Sequence, residues 1–152
     1  LRLVCVGDGN ILNDLKQQAN ELGIADKVEF AGLVTRDKVL NYVKNFDIAL
    51  QPDVTAYASP LKMFEYMAVG SLIVAPDCPN IREILTDDTA LFFNKENQSS
   101  FKTVLTNAIE EYTNYKDKRL AVKQSIVDKG FIWHENSKLV ITIATNTIRT
   151  RG

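Results

Sequence analysis

Apolar residues along this chain come in short runs separated by glycines, prolines and amphipathic stretches. The first run, residues 1–6, ends at Gly7-Asp8-Gly9-Asn10, which predicts a buried strand entering a glycine turn. Leu12, Leu15, Ala19 and Leu22 then recur at helical spacing, with Asn10 or Asn13 as the cap and Gly23 as the stop. Residues 27–31 predict a second strand. Thr35 opens another helix, turning Val39, Leu40, Val43 and Phe46 towards a core. Residues 47–50 predict a third strand, left through Gln51-Pro52-Asp53. A fourth strand follows at 72–75, a loop at 76–79, a short helix near 81–85 and a fifth strand at 89–93. From Asn97 the pattern is helical to the end, broken near Tyr115 and Gly130. Alternating strands and helices predict an α/β fold, a Rossmann-like three-layer α/β/α domain around a parallel sheet.

The most informative stretch lies between the third and fourth strands: Tyr-Ala-Ser-Pro-Leu-Lys-Met-Phe-Glu-Tyr-Met-Ala-Val-Gly, residues 57–70. Ser59 suits an N-cap, Pro60 the first helical position and Gly70 a left-handed C-terminal cap. Leu61, Met63, Phe64, Met67 and Ala68 share one arc of the wheel, with Glu65 at its edge. Lys62 breaks the local rule, since a cation in the first turn opposes the positive end of the helix dipole. A helix N-terminus with a lysine is what a phosphate needs. A surface Lys62–Glu65 pair at i,i+3 is the plainer reading.

Composition narrows the classes. The chain has 152 residues, 45% hydrophobic and 24% charged, which suits one globular domain with a sizeable core. Eighteen basic against nineteen acidic residues give no basic surface for nucleic acid. No apolar run approaches the roughly 20 residues of a membrane span. Cys5 and Cys78 make neither a disulfide framework nor a metal pattern, so a reduced, intracellular chain is expected. Leu1 already stands at a strand edge, which makes a natural start there doubtful. His134, beside Trp133 at a helix start, reads as a capping or packing residue. Trp133, Leu139, Val140, Ile143, Ala144 and Ile148 read as a packing face, Arg82-Glu83 as a structural pair, and Glu110, Glu111, Lys116, Asp117, Lys118 and Arg119 as a solvated surface.

The run Ser-Pro-Leu-Lys-Met-Phe-Glu-Tyr-Met-Ala-Val-Gly-Ser-Leu-Ile-Val-Ala closely resembles the donor-binding signature of GT-B glycosyltransferases of group 1, or family 4. The resemblance spans nearly the whole chain, from Val-Gly-Asp-Gly at 6–9 through Val-Glu-Phe-Ala-Gly at 28–32 to Trp133. It implies the C-terminal, donor-binding half of a GT-B fold, with the sugar nucleotide at the carboxyl ends of the strands. By position it implies that Gly7, Asp8 and Gly9 line the diphosphate side and that Val34 meets the base through its backbone. Ser59, Pro60, Leu61 and Lys62 bring the helix start to the phosphates, Glu65 accepts from the ribose hydroxyls, and Lys62 and Glu65 are the catalytic pair. It also implies a retaining transfer from a nucleotide-diphosphate sugar, UDP-sugar before GDP-sugar, with no metal or other cofactor. The acceptor is a saccharide, a lipid-linked glycan or another group. A cytoplasmic enzyme of polysaccharide biosynthesis follows, or one peripheral at the inner membrane face.

Departures from that pattern matter equally. Many members place a glutamate eight residues before the second one, where this chain has Tyr57; a tyrosine there hydrogen-bonds or stacks on the sugar, or packs over the site. The family's preceding strand and helix, with an Arg and a Lys for the diphosphate, and its N-terminal acceptor domain are not in this sequence. The fragment alone is therefore expected to be inactive, and self-association or marginal stability is expected from a sheet lacking its middle strand. Two other readings stand beside this one. A receiver-like phospho-acceptor domain would use Asp8, Asp53 and Lys95, although the glycine turn offers only one acid and Ala75-Pro76 stands where it needs Ser or Thr. A catalytically silent nucleotide-binding scaffold would explain the missing glutamate.

Overall fold

The computed structural model describes residues 1–55, 57–58, 60–132, 134–135, 137–138 and 140–142. The chain divides into two compact units, Leu1–Asn45 and Phe46–Gly152, each built of parallel strands and helices.

In the first unit β1 (Leu3–Val6) runs parallel to β2 (Val28–Gly32), with Leu3 opposite Val28 and Cys5 opposite Phe30. Helix α1 (Leu12–Glu21) connects them, and Gly23 leaves it at φ +66°, the left-handed stop that the sequence predicts. Helix α2 (Arg36–Val43) follows β2 and starts at Thr35, whose hydroxyl makes no capping bond. Neither Asn10 nor Asn13 caps α1; Ile11 holds that position without a side-chain bond. The turn is closed further back instead. Asp8 Oδ1 accepts from the Gly9 N–H at 2.8 Å, and Leu12 N–H donates to the Gly9 carbonyl at 3.0 Å. The apolar stripes are covered only in part: Ala19 and Val43 are buried, but Leu22 and Leu40 are 64% and 45% exposed. Two strands offer too little sheet to cover two helices.

The second unit has a fuller core. Strands β3 (Ile48–Leu50), β4 (Leu72–Pro76) and β5 (Ala90–Phe93) form a parallel sheet with β4 central, Leu50 opposite Val74 and Val74 opposite Leu91. Helices α3 (Lys62–Val69) and α4 (Pro79–Arg82) make the crossovers, and α5 (Gln98–Glu110), a 3-10 turn at Tyr112–Tyr115 and α6 (Lys116–Asp128) follow. Asn97 caps α5, its Oδ1 accepting from Ser100 N–H at 3.2 Å. The turn at Tyr115 and the left-handed Gly130 (φ +66°) are the two breaks read from the sequence.

Every residue of β4 is buried, as a central parallel strand requires. Side chains alternate along it. Leu72 and Val74 join Phe93 and Ala108 under α5, and Phe93 meets the Phe101 ring edge-on at 4.9 Å. Ile73 and Ala75 point to the opposite face, against which α3 packs with Met63 and Met67 fully buried. Helices thus cover both faces of this sheet. Of the predicted C-terminal packing face, Trp133, Leu139, Ile143, Ala144 and Ile148 lie outside the described residues, and Val140 is 65% exposed.

Two surface readings need correction. Arg82 does not pair with Glu83, because neighbours on a helix do not face each other. It forks between Asp77 (2.7 Å) and Asp87 (2.8 Å) and lies 3.6 Å over the Phe92 ring. The hydrogen bond from Arg82 holds the Asp77 carboxyl below its usual range. Nor are Lys118 and Arg119 simply solvated: Lys118 Nζ donates to the Asp87 carbonyl, and Arg119 lies over the Tyr112 ring at 4.6 Å.

Candidate functional site

The predicted site residues fall in both units. Gly7, Asp8, Gly9 and Val34 belong to the first; Tyr57, Pro60, Leu61, Lys62 and Glu65 belong to the second. Ser59 lies outside the described residues.

In the first unit Gly7 ends β1 with φ +135°, a conformation open to glycine, and its N–H donates to the Gly32 carbonyl at 2.9 Å. A Cβ there would meet no atom within 4 Å, so backbone conformation alone demands the glycine. Gly9 has no such constraint. The Asp8 carboxylate is occupied by the Gly9 amide, which makes it first a turn-former. Val34 is half-buried beside Leu33, which is 86% exposed.

In the second unit the chain leaves β3 through Gln51 and reaches α3 by the loop 52–61, at the carboxyl end of the sheet. Leu61 holds the N-cap position with φ −55° and ψ −31°, and no side chain caps the helix. Pro60 therefore stands just ahead of α3, not within it, and its carbonyl accepts from Met63 N–H at 2.9 Å. Phe64 N–H donates to Leu61 at 3.1 Å. The amides of Leu61 and Lys62 donate to no carbonyl among the described residues, as expected for the first turn of a helix. The wheel misplaces two residues: Leu61 is 78% exposed and Ala68 is exposed as well, while Tyr66 lies in the core against Phe46, ring centroids 6.4 Å apart. Burial and the neighbouring Glu65 carboxylate raise the Tyr66 phenol.

Lys62 and Glu65 do not pair. Neither makes an ion pair among the described residues, so the surface-pair reading fails. Lys62 reaches solvent, yet the surrounding protein displaces enough water to lower its ammonium below the ordinary lysine value. Among the described residues, then, an unpaired, partly desolvated cation stands beside two amides without an acceptor at the positive end of a helix. Such a group attracts an anion and is a poor partner for bulk water. Glu65 stands one turn on, half-buried, its carboxylate free to accept. Tyr57 is 91% exposed, so it does not pack over the site within this chain.

Two residues went unread in the sequence. Asn80 Nδ2 donates to the carbonyls of Thr55 (3.1 Å) and Ala58 (2.5 Å), and Gln51 Nε2 donates to the Asp53 carbonyl. Both act on the loop that feeds α3. Asn80 stands second in α4, where an asparagine has many local roles, so its hold on the loop carried no signal in the sequence. Among the described residues no group of three or more His, Cys, Asp or Glu is placed to hold a metal ion.

Known proteins share this fold and, in part, this sequence. The family model described as glycosyl transferases group 1 matches residues 1–111. Alpha-monoglucosyldiacylglycerol synthase of Streptococcus pneumoniae is 33% identical over 87 residues, 57% of this chain and 20% of that protein. Among solved structures, a Rickettsia africae glycosyltransferase superposes with a TM-score of 0.84 at 15% identity, covering 97% of this chain and 40% of that one. Anabaena HepE, solved in complex with UDP, gives 0.78 at 18% identity, covering 95% and 41%. The chain therefore spans less than half the length of each of these proteins.

Proposed function

The chain belongs to the glycosyl transferases group 1 family, and from that premise we propose that it binds the nucleotide-sugar donor of a glycosyltransferase. The observation that carries the reading is the start of α3, where among the described residues two amides have no acceptor and the partly desolvated Lys62 has no ion-pair partner. A diphosphate accepts from both amides and from the ammonium, and charge-assisted bonds of this kind are the strong ones. Glu65 then accepts from the ribose diol. In transfer, Lys62 and the helix terminus balance the charge growing on the leaving diphosphate, a task met without a metal.

The donor is a UDP-sugar before a GDP-sugar, in keeping with the complex of HepE with UDP. The acceptor is a saccharide, a lipid-linked glycan or another group, bound by sequence beyond this chain, so the fragment alone is inactive. The transfer retains configuration. Tyr57, where many members carry a glutamate, favours a second reading, a binding domain without turnover; its exposed ring is free to stack on a sugar in either case.

Calorimetric titration of the full-length protein with UDP, GDP and ADP tests the proposal. Selective binding of one diphosphate is expected, weakened about tenfold or more by Lys62→Ala and by Glu65→Ala. A folded protein that binds none of the three refutes it, and tight UDP binding without sugar transfer selects the silent domain.

A further inference from the structure

The loop entering α3 is held by its carbonyls. Gln51, only 3% exposed, ties down Asp53, and Asn80 of α4 ties down Thr55 and Ala58. An amide nitrogen carries two hydrogens, and here each has its own carbonyl. The Asn80 Oδ1 is buried without a partner among the described residues. Turning the amide over would set that oxygen against two carbonyl oxygens, so the donor side is fixed.

Ala58 is the telling partner. In an α-helix the N–H of a residue donates to the carbonyl four positions earlier. The Ala58 carbonyl is therefore the acceptor that the Lys62 amide would take if α3 began one turn sooner. Asn80 occupies it at 2.5 Å, and the Lys62 amide donates to nothing among the described residues. The Thr55 carbonyl is doubly used, accepting from Asn80 and from Ala58 N–H at 3.0 Å, which closes the turn just before the helix.

We propose that Asn80 is a positioning residue of the donor site: by holding the Thr55 and Ala58 carbonyls it fixes where α3 starts and keeps the Leu61 and Lys62 amides free for the donor diphosphate. This rests on the donor-site reading above. Asn80 touches no substrate itself; it acts through the backbone of the loop.

The test uses the full-length protein with Asn80→Asp, which keeps the shape and loses both donors. Titration with UDP is expected to show affinity about tenfold weaker, while uridine, which lacks phosphates, changes by less than about twofold in a competition assay. UDP affinity unchanged in the folded variant overturns the proposal, as does an equal loss for UDP and uridine. If the variant does not fold, the unmutated protein decides: by NMR, the Asn80 side-chain amide protons should exchange about tenfold more slowly than those of a free asparagine. Exchange at the free rate overturns the clamp. UDP binding untouched by Lys62→Ala would instead sink the donor-site reading, and the proposal with it, even where the Asn80 amide is held.

Discussion

Leu61→Pro isolates a backbone amide without touching any charge. Leu61 is the second residue of the turn closed by Met63 N–H and the Pro60 carbonyl, and proline favours that position. Its φ of −55° and ψ of −31° lie within reach of the fixed proline ring. Its N–H donates to nothing among the described residues, and its side chain is 78% exposed, so folding loses little. Reduced freedom of the unfolded chain adds about 0.4–1 kcal/mol of stability where the native conformation fits. Binding is another matter. If the amide donates to the diphosphate, removing it costs about 1.5–3 kcal/mol, the range for hydrogen bonds to charged groups. That is about 10- to 100-fold in dissociation constant. Calorimetry with UDP gives the affinity and a thermal melt gives the stability. Leu61→Ala, which keeps the N–H, is the control for lost side-chain contacts. A proline variant that melts at or above the parent and binds UDP within about threefold of it would refute a phosphate contact at this amide.

Further outcomes follow from three named features. Because desolvation lowers the Lys62 pKa, its charge disappears at a pH below the ordinary lysine value of 10.5; UDP affinity should fall as pH rises through that range, and Lys62→Gln should flatten the profile. The same shift makes the folded state bind fewer protons than the unfolded one there, so stability rises with pH in that window, the opposite sign to binding. Gly70 caps α3 at φ +75°, and a Cβ there would come 3.2 Å from the Arg119 carbonyl; Gly70→Ala should cost about 1–2 kcal/mol in urea unfolding, and a neutral result would contradict the left-handed cap. With Leu22 and Leu40 of the first unit exposed, the 152-residue chain should self-associate or melt low, and a sedimenting monomer with a high melting temperature would count against this.

The strand pattern was legible because β-runs here are short, apolar and bounded by glycine or proline. All five strands lie where the sequence places them, to within a residue or two at each end. Helix beginnings were read less well. Residue type suggested Asn10 or Asn13 as a cap, whereas Asp8 had already closed the turn by bonding the adjacent amide. The helical wheel put Leu61 in the core because it assumed a helix running from Ser59; the regular turn begins at Lys62, and Leu61 falls ahead of it. The Lys62–Glu65 pair failed for a related reason, since spacing permits a contact but does not compel it. Asn80 could not be read at all, as its carbonyl partners lie more than twenty residues away in sequence. The resemblance to the family proposed the site; the structure distinguishes the backbone amides at the start of α3 from the side chains beside them.

One helix does two jobs at opposite ends of its side chains. Met63 and Met67 of α3 are sealed in the core, while the free amides and Lys62 sit at its first turn. If a donor diphosphate is held by these amides, the buried methionines of the same helix anchor them, and its binding needs little ordering of the chain. It also partitions the paths open to change. Substitutions at the buried positions strike folding and binding together, and selection removes them. Tyr57 and Leu61, beside the same helix start but 91% and 78% exposed, can vary at little cost to the core. On the donor-site reading, new donor preferences would arise there first, beside a buried foundation.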